Sequence, residues 1–193
     1  VIYRNLILES ESVRLEPLHP RHAAALFPLA DDATLRYLNL WAPVESEGAM
    51  ADQLTRIIAD GDTHFFAVVD KGTNQAVGST SYLDLRPAHR GLEIGNTWLG
   101  ESARSTRVNP EMKHLMLEYA FGSLGCLRVQ LKTDARNLRS QAALRKLGAV
   151  YEGTLRKHMI CRDGYVRDTV MFSITDEEWP SLRAALEARI TCF

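Results

Sequence analysis

Residues 98–110 read Trp98-Leu99-Gly100-Glu101-Ser102-Ala103-Arg104-Ser105-Thr106-Arg107-Val108-Asn109-Pro110. The run leaves a β-rich segment, Gly91 to Leu99, crosses a polar loop and enters a helix. Asn109 is a good helix N-cap, and Pro110 suits the first helical position. Met112, Leu115, Met116, Tyr119 and Ala120 then recur at helical spacing, and Gly122 and Gly125 supply a stop. The first turn of a helix has unpaired N–H groups and a partial positive charge. A strand that turns into such an N-terminus is a ready anion site, to which Arg104 and Arg107 add two charges. A diphosphate suits this arrangement; a solvated loop before any capped helix reads the same way.

On the N-terminal side, Ser12 to Pro17 reads as a strand. Pro20 to Leu29 and Ala49 to Ala59 read as helices, with an irregular stretch around Trp41 and Pro43. His64 to Val69 and Gln75 to Leu85 are strands separated by Asp70-Lys71-Gly72. On the C-terminal side, Leu127, Val129 and Leu131 alternate with Arg128, Gln130 and Lys132, the mark of a strand. Asn137 to Leu147 is a helix, with Gly148 where a left-handed cap belongs. Val150 to Ile160 and Tyr165 to Ile174 flank Asp163-Gly164, a hairpin turn signal. Thr175 or Asp176 is placed to cap a last helix through Ala188. Strands alternating with helices make the class mixed α/β.

The 193 residues suit one domain, and no repeat or long linker divides them. A net charge of -1 lacks the basic excess of a nucleic-acid surface. The local cluster Arg136, Arg139, Arg145 and Lys146 fits a small phosphorylated ligand better than a polymer. Cys126, Cys161 and Cys192 are odd in number and lack paired spacing, which argues against disulfides and zinc and points to a reducing cytoplasm. The opening VIYRNLILESESVRL alternates apolar and charged residues too early for a signal peptide. No apolar run approaches the ~20 residues of a membrane helix.

Several short motifs stand in a telling order: Val77-Gly78-Ser79-Thr80, Glu93-Ile94-Gly95, Trp98-Leu99, Val108-Asn109-Pro110-Glu111-Met112-Lys113, Asn137-Leu138-Arg139-Ser140, Lys146-Leu147-Gly148-Ala149 and Glu152-Gly153-Thr154-Leu155-Arg156. Over nearly the whole chain this layout resembles the Gcn5-related N-acetyltransferases (GNAT), in the branch of the RimJ/RimL-type ribosomal-protein alanine acetyltransferases. The resemblance implies a single domain over 1–193. Its sheet would be mixed, mostly antiparallel, splayed at the acetyl-CoA site and covered by helices on both faces. It implies acetyl-CoA as co-substrate, an amine acceptor and no metal. Pantetheine would lie between Trp98-Leu99 and Lys132-Thr133. The pyrophosphate would sit on the amides of Arg104, Ser105, Thr106, Arg107, Val108 and Asn109. Asn137 and Ser140 would face the thioester end, with Lys146 toward the ribose phosphate. Family members usually carry glycines where this chain has Ser105 and Arg107. Glycine reaches positive φ and lets phosphate approach the backbone; Arg107 either crowds the phosphate or contacts it.

Acetyl transfer needs a neutral amine. With pKa values near 8 and 10.4, deprotonation at pH 7 costs about 1.4 kcal/mol for an α-amine and about 4.6 for lysine. Glu93, on the strand leading to the splay, is the candidate base; the alternatives are a structural carboxylate paired with an arginine and a solvent-facing strand residue. The backbone N–H near Leu99 is the candidate oxyanion donor. Many relatives use a tyrosine as acid on the helix after Asn137, but this chain has none there and has Leu144 in that neighbourhood. Ser140 matches the RimL-type serine; a serine serving the helix backbone is the alternative. Met159 occupies the place of a RimL-type carboxylate, and the neighbouring His158 faces the other way on a strand. Tyr37, Trp41, Tyr82 and His158 are candidate acceptor-pocket residues, against the ordinary placement of aromatics in a core. Asp168 is placed to orient Arg156 or His158 across the hairpin.

The expected activity is acetyl transfer to a primary amine, on a protein N-terminus or a small molecule, by direct attack on the thioester. A degenerate relative that binds CoA or another ligand without turnover is the alternative. A homodimer through the C-terminal hairpin and the Trp179 helix is a third reading. Neither nucleic acid nor membrane is an expected partner.

Overall fold

The computed structural model describes residues 2, 5–59 and 61–193. Val1, Tyr3 and Arg4, part of the opening read against a signal peptide, lie outside the described residues. The strands are β1 Leu8–Glu9, β2 Val13–Pro17, β3 His64–Asp70, β4 Gln75–Arg86, β5 Gly91–Leu99, β6 Arg128–Asp134, β7 Val150–Ile160 and β8 Val166–Thr175. They form one eight-stranded sheet in the order β1-β2-β3-β4-β5-β6-β8-β7. Neighbours run antiparallel except β5 and β6, which are parallel. The α-helices are α1 Ala23–Leu26, α2 Asp32–Leu35, α3 Glu47–Ile58, α4 Val108–Glu118, α5 Leu138–Leu147 and α6 Trp179–Thr191.

Successive strand residues point to opposite faces, so a strand covered on both sides can be apolar throughout. β3 shows this: Phe65, Ala67 and Val69 join Trp41, Met50, Leu54 and Trp98 on one face. Phe66 and Val68 join Ile94, Met112, Met116, Val129, Leu131 and Phe172 on the other.

Three helix starts differ from the sequence expectation. Pro20 to Leu29 is not one helix but a 3-10 turn, α1, and a second 3-10 turn over Phe27–Leu29. Pro28 removes a donor and crowds the preceding turn. α4 begins at Val108 with Arg107 at the cap, because Glu111 N donates to Arg107 O at 3.0 Å. Pro110 is tolerated inside that first turn, where an N–H has no helical acceptor anyway. α6 begins at Trp179 and is capped by neither Thr175 nor Asp176; Glu178 Oε2 instead accepts from Thr175 N at 2.8 Å. Trp179 is buried and stacks on Phe121 with centroids 5.6 Å apart. That side of α6 therefore faces the core.

The decisive irregularity lies in β5. Ser79 pairs with Trp98 and Ser81 with Gly95, so Asn96 and Thr97 together stand opposite Thr80. Asn96 takes a left-handed φ of 51°. This is a β-bulge, which bends its strand and increases the local twist. β5 pairs with β6 only from Gly91–Arg128 to Glu93–Gln130. Beyond that pair the two strands part. β6 remains paired with β8 on its other side, from Arg128–Thr175 to Asp134–Thr169.

Gly78 fixes the far end of β5. A Cβ at Gly78 would lie 2.1 Å from the Trp98 carbonyl oxygen and 2.9 Å from Leu99 Cα, both backbone atoms. The Gly78→Ala substitution is expected to lower stability in urea unfolding by about 3 kcal/mol, the upper part of the usual overpacking range. A midpoint within error of the parent would show that β5 can move aside.

Candidate active site

The apex of the gap is the Glu93–Gln130 pair. Glu93 is 1% exposed, and its Oε2 accepts from Gln130 Nε2 at 2.9 Å and from Lys132 Nζ at 3.0 Å. The partner is thus a lysine of β6 rather than the arginine considered from sequence. At the other end, Gly100 N donates to Val77 O at 2.8 Å. Strand alternation then turns the Leu99 N–H and C=O away from β4 and toward the gap. Arg104 Nε donates to Leu99 O at 2.9 Å, and its Nη2 donates to Thr34 Oγ1 at 2.6 Å. Arg104 therefore ties the loop to β5 and α2.

In the loop, Ser105 takes a left-handed φ of 59°. Serine adopts there the conformation glycine adopts without strain, at a cost of about 1 kcal/mol. The amides of Ser105, Thr106, Arg107 and Asn109 meet no acceptor among the described residues. They form a set of free donors at the start of α4, fit for an anion. The Val108 N–H has only a 3.3 Å contact with Thr106 Oγ1. Arg107 is engaged elsewhere: its Nε donates to Glu111, and Nη2 donates to Glu11 at 2.8 Å. Glu111 also receives the Ser10 hydroxyl, and Ser12 N at 3.2 Å. Burial pushes the Glu111 carboxyl up, but these donors outweigh it and hold it below its usual range.

On the β6 side, Asn137 Oδ1 caps α5 by accepting from Ser140 N at 3.0 Å. Ser140 is half-buried, and its hydroxyl has no partner among the described residues. The helix-capping task considered for Ser140 thus falls to Asn137.

The candidate acceptor residues separate. Tyr82 is 0% exposed, and its hydroxyl donates to Met116 O at 2.6 Å, so it is core and does not line the gap. Trp41 is also buried, with its ring edge-on to Trp98 at 5.1 Å. Neither indole N–H has an acceptor among the described residues. The Trp41 carbonyl accepts from Arg162 of the β7–β8 hairpin. His158 Nδ1 is hydrogen-bonded to Thr169 Oγ1 at 3.1 Å. Asp168 accepts from Lys157 N at 2.7 Å, and so orients neither Arg156 nor His158 as the sequence suggested. Arg136, held by Asp134, lies 3.4 Å from the Tyr165 ring centroid and 5.7 Å from that of Tyr37. Beside this cluster is a cleft of about 400 Å³, lined by Asp32, Arg36, Asn39, Cys161 and Arg162 among others.

Lys113 escaped notice in the sequence. It is buried, has no carboxylate partner among the described residues, and donates to Thr97 Oγ1 at 3.1 Å beside the bulge. A signal was present: Lys113 shares a helical stripe with Met116, Leu117 and Ala120, all buried. Lys132, expected from sequence as a polar strand position beside the pantetheine gap, proves to be the partner of Glu93.

Residues 12–150 match the acetyltransferase (GNAT) domain family. The chain belongs to this family, in its RimJ/RimL-like branch. It is similar to an acetyltransferase from T. thermophilus, with 36% identity and a TM-score of 0.91, over 98% of this chain and 99% of that one. A GCN5-related N-acetyltransferase from Brucella melitensis is 31% identical, with a TM-score of 0.90, over 96% of this chain and 86% of that one. The uncharacterized N-acetyltransferase p20 of Bacillus licheniformis is 24% identical over 152 residues, 78% of this chain and 84% of its own length. Membership makes the chain an acetyltransferase and implies acetyl-CoA as donor and an amine as acceptor. Among the described residues, no helix is long and apolar enough to cross a membrane.

Burial brings the Lys113 ammonium down to about 7. The unfolded chain therefore holds the proton more tightly, and stability rises with pH from about 7 toward 10.5. Lys113→Met should raise Tm at pH 7, by about 2–4 °C for each kcal/mol recovered. The gain should shrink as pH approaches 10. A gain independent of pH would locate the effect in packing instead of in the buried charge.

Proposed function

We propose that the chain acetylates a primary amine by direct attack on the thioester of acetyl-CoA bound between β5 and β6. The observation that carries this reading is the gap itself. Two interior strand edges are left unpaired, with Glu93 at their apex and free amides at the loop end. Such edges can hydrogen-bond the amides of pantetheine as a neighbouring strand would. The donors of Ser105, Thr106, Arg107, Val108 and Asn109 suit the pyrophosphate, with Arg104 bracing the loop. In this reading Trp98 and Leu99 at the end of β5 and Asn137 at the start of α5 flank the cofactor.

In the reaction the amine N–C bond forms as the thioester C–S bond breaks. The amine loses one proton and the departing thiolate gains one, giving an N-acetylated amine and CoA. Glu93 takes up the amine proton, directly or through water. The Leu99 N–H faces the oxyanion. Ser140, with its hydroxyl uncommitted, relays a proton from water to the thiolate, taking up one proton as it gives up the other.

Glu93→Gln is expected to lower kcat by about 10²-fold or more while the Kd for acetyl-CoA by calorimetry stays close to the parent. Retention of kcat and of the alkaline rise of the pH profile would remove Glu93 as base. Ser140→Ala should cost less, because a thiolate of pKa near 8.5 leaves without much help.

Arg107→Gly separates loop support from ligand contact. Since its guanidinium is engaged by Glu11 and Glu111, the substitution should lower Tm and leave the Kd for acetyl-CoA nearly unchanged. Weakening of binding by about tenfold, or 1.4 kcal/mol, would put the guanidinium on the phosphate instead.

A further inference from the structure

Arg167 is a buried cation without a counterion. It lies on β8 and is 6% exposed. Val170, Phe172 and Ile174 of the same strand face the α4 side of the sheet. Alternation therefore puts Arg167 and Thr169 on the opposite face, the one that carries Glu93, Gln130 and Lys132. Arg167 Nε donates to Thr169 Oγ1 at 3.0 Å. Its two terminal amino groups make no hydrogen bond, and no carboxylate pairs with it, among the described residues.

The nearby carboxylates are already engaged. Asp134 takes Arg136 through Nε at 3.0 Å, Nη2 at 2.8 Å and the backbone N at 2.8 Å. Glu93 takes Lys132 and Gln130. Burial depresses the Arg167 pKa, and the fields of Asp134, Cys161 and Glu93 only partly offset it. An unpaired buried charge costs several kcal/mol. Two free donors in a planar fork match a carboxylate.

The β7–β8 hairpin that ends next to Arg167 is tied to the N-terminal half of the chain. Arg162 reaches the Trp41 carbonyl, Asn39 Nδ2 donates to the Met159 sulfur at 3.5 Å, and Arg136 stacks on Tyr165. These contacts fasten the β7–β8 hairpin to the segment after α2. Cys161, whose N donates to Tyr165 O at 2.8 Å two residues from Arg167, lines the 400 Å³ cleft at that junction. A cleft of this size suits a small molecule.

We infer that Arg167 binds a carboxylate of the acceptor, so that the acceptor is a small amine of the amino-acid type, with amine and carboxylate on one molecule. This rests on the reading that acetyl transfer takes place in the β5–β6 gap. The amine then lies toward Glu93 and the carboxylate toward Arg167, on one face of the sheet.

The test uses the twenty amino acids, each beside its primary amide, with the full chain. CoA release gives kcat/KM, and calorimetry on the CoA-loaded protein gives affinity independent of turnover. The amide has the less basic amine and so more free nucleophile at neutral pH. A preference for the acid therefore reports on the carboxylate. At least one acid should exceed its amide by about tenfold or more, the scale of a charge-assisted hydrogen bond. Arg167→Met should erase that ratio and leave the Kd for acetyl-CoA unchanged, and Arg167→Lys should keep part of it. Acids and amides used or bound equally by the parent, or no use or binding of any of the twenty pairs, would overturn the inference. So would Arg167→Met lowering both members of a pair alike. If Arg167→Met does not fold, the parent ratio and Arg167→Lys decide. Failure of the underlying reading would show differently, as loss of acetyl-CoA binding in the parent chain.

Discussion

The bulge at Asn96–Thr97 is the constraint on which the rest of the structure depends. Two residues of β5 stand against one of β4, and the strand bends away from β6 after a short parallel ladder ending at Glu93–Gln130. Unpaired backbone groups in the middle of a sheet need a partner. A bound molecule that carries amides of its own can be that partner. Gly78 keeps the bend from relaxing, because its missing side chain lets β4 approach the Trp98 carbonyl. The same bend brings Thr97 beside Lys113.

Two sets of charges act around this opening. At the loop end, Glu111 gathers Ser10, Ser12 and Arg107, joining the N-terminal strands to the start of α4. Arg104 joins the loop to β5 and to α2. With both arginines engaged in protein contacts, the backbone amides are left as the free donors. Ser105 meets the left-handed conformation that the loop requires, so the missing glycine does not abolish the turn. At the other end, Glu93, Lys132 and Arg167 share one face of the sheet, and Arg162 ties the β7–β8 hairpin to the Trp41 carbonyl. Glu93 and Arg167 are buried there, so their charges contribute more to orientation than they would on an open surface.

Much of this was legible in the chain. Alternation in Leu127 to Lys132, the helical spacing after Pro110 and the cap at Gly148 required only local geometry, and strands, helices and hairpin follow them. The order of the short motifs identified the GNAT family, and the domain match agrees. Glu93 and Ser140 were visible as residue types at positions the resemblance marks. Where local signals misled, a competing contact had prevailed: the Arg107 carbonyl, which takes Glu111 N, over an Asn109 cap, Glu178 over a Thr175 cap, and Met116 over an open position for Tyr82.

By itself, then, the sequence determined the mixed α/β class and most secondary elements, because these depend on periodicity and capping along the chain, and its motif order carried the family resemblance from which the splayed sheet was expected. Only the tertiary structure decided which charges meet. Lys132 is distant from Glu93 in sequence, as Glu11 is from Arg107, and no local pattern pairs them. It also decided that Arg167 is buried and unpaired, since that depends on which neighbouring carboxylates other cations have already taken.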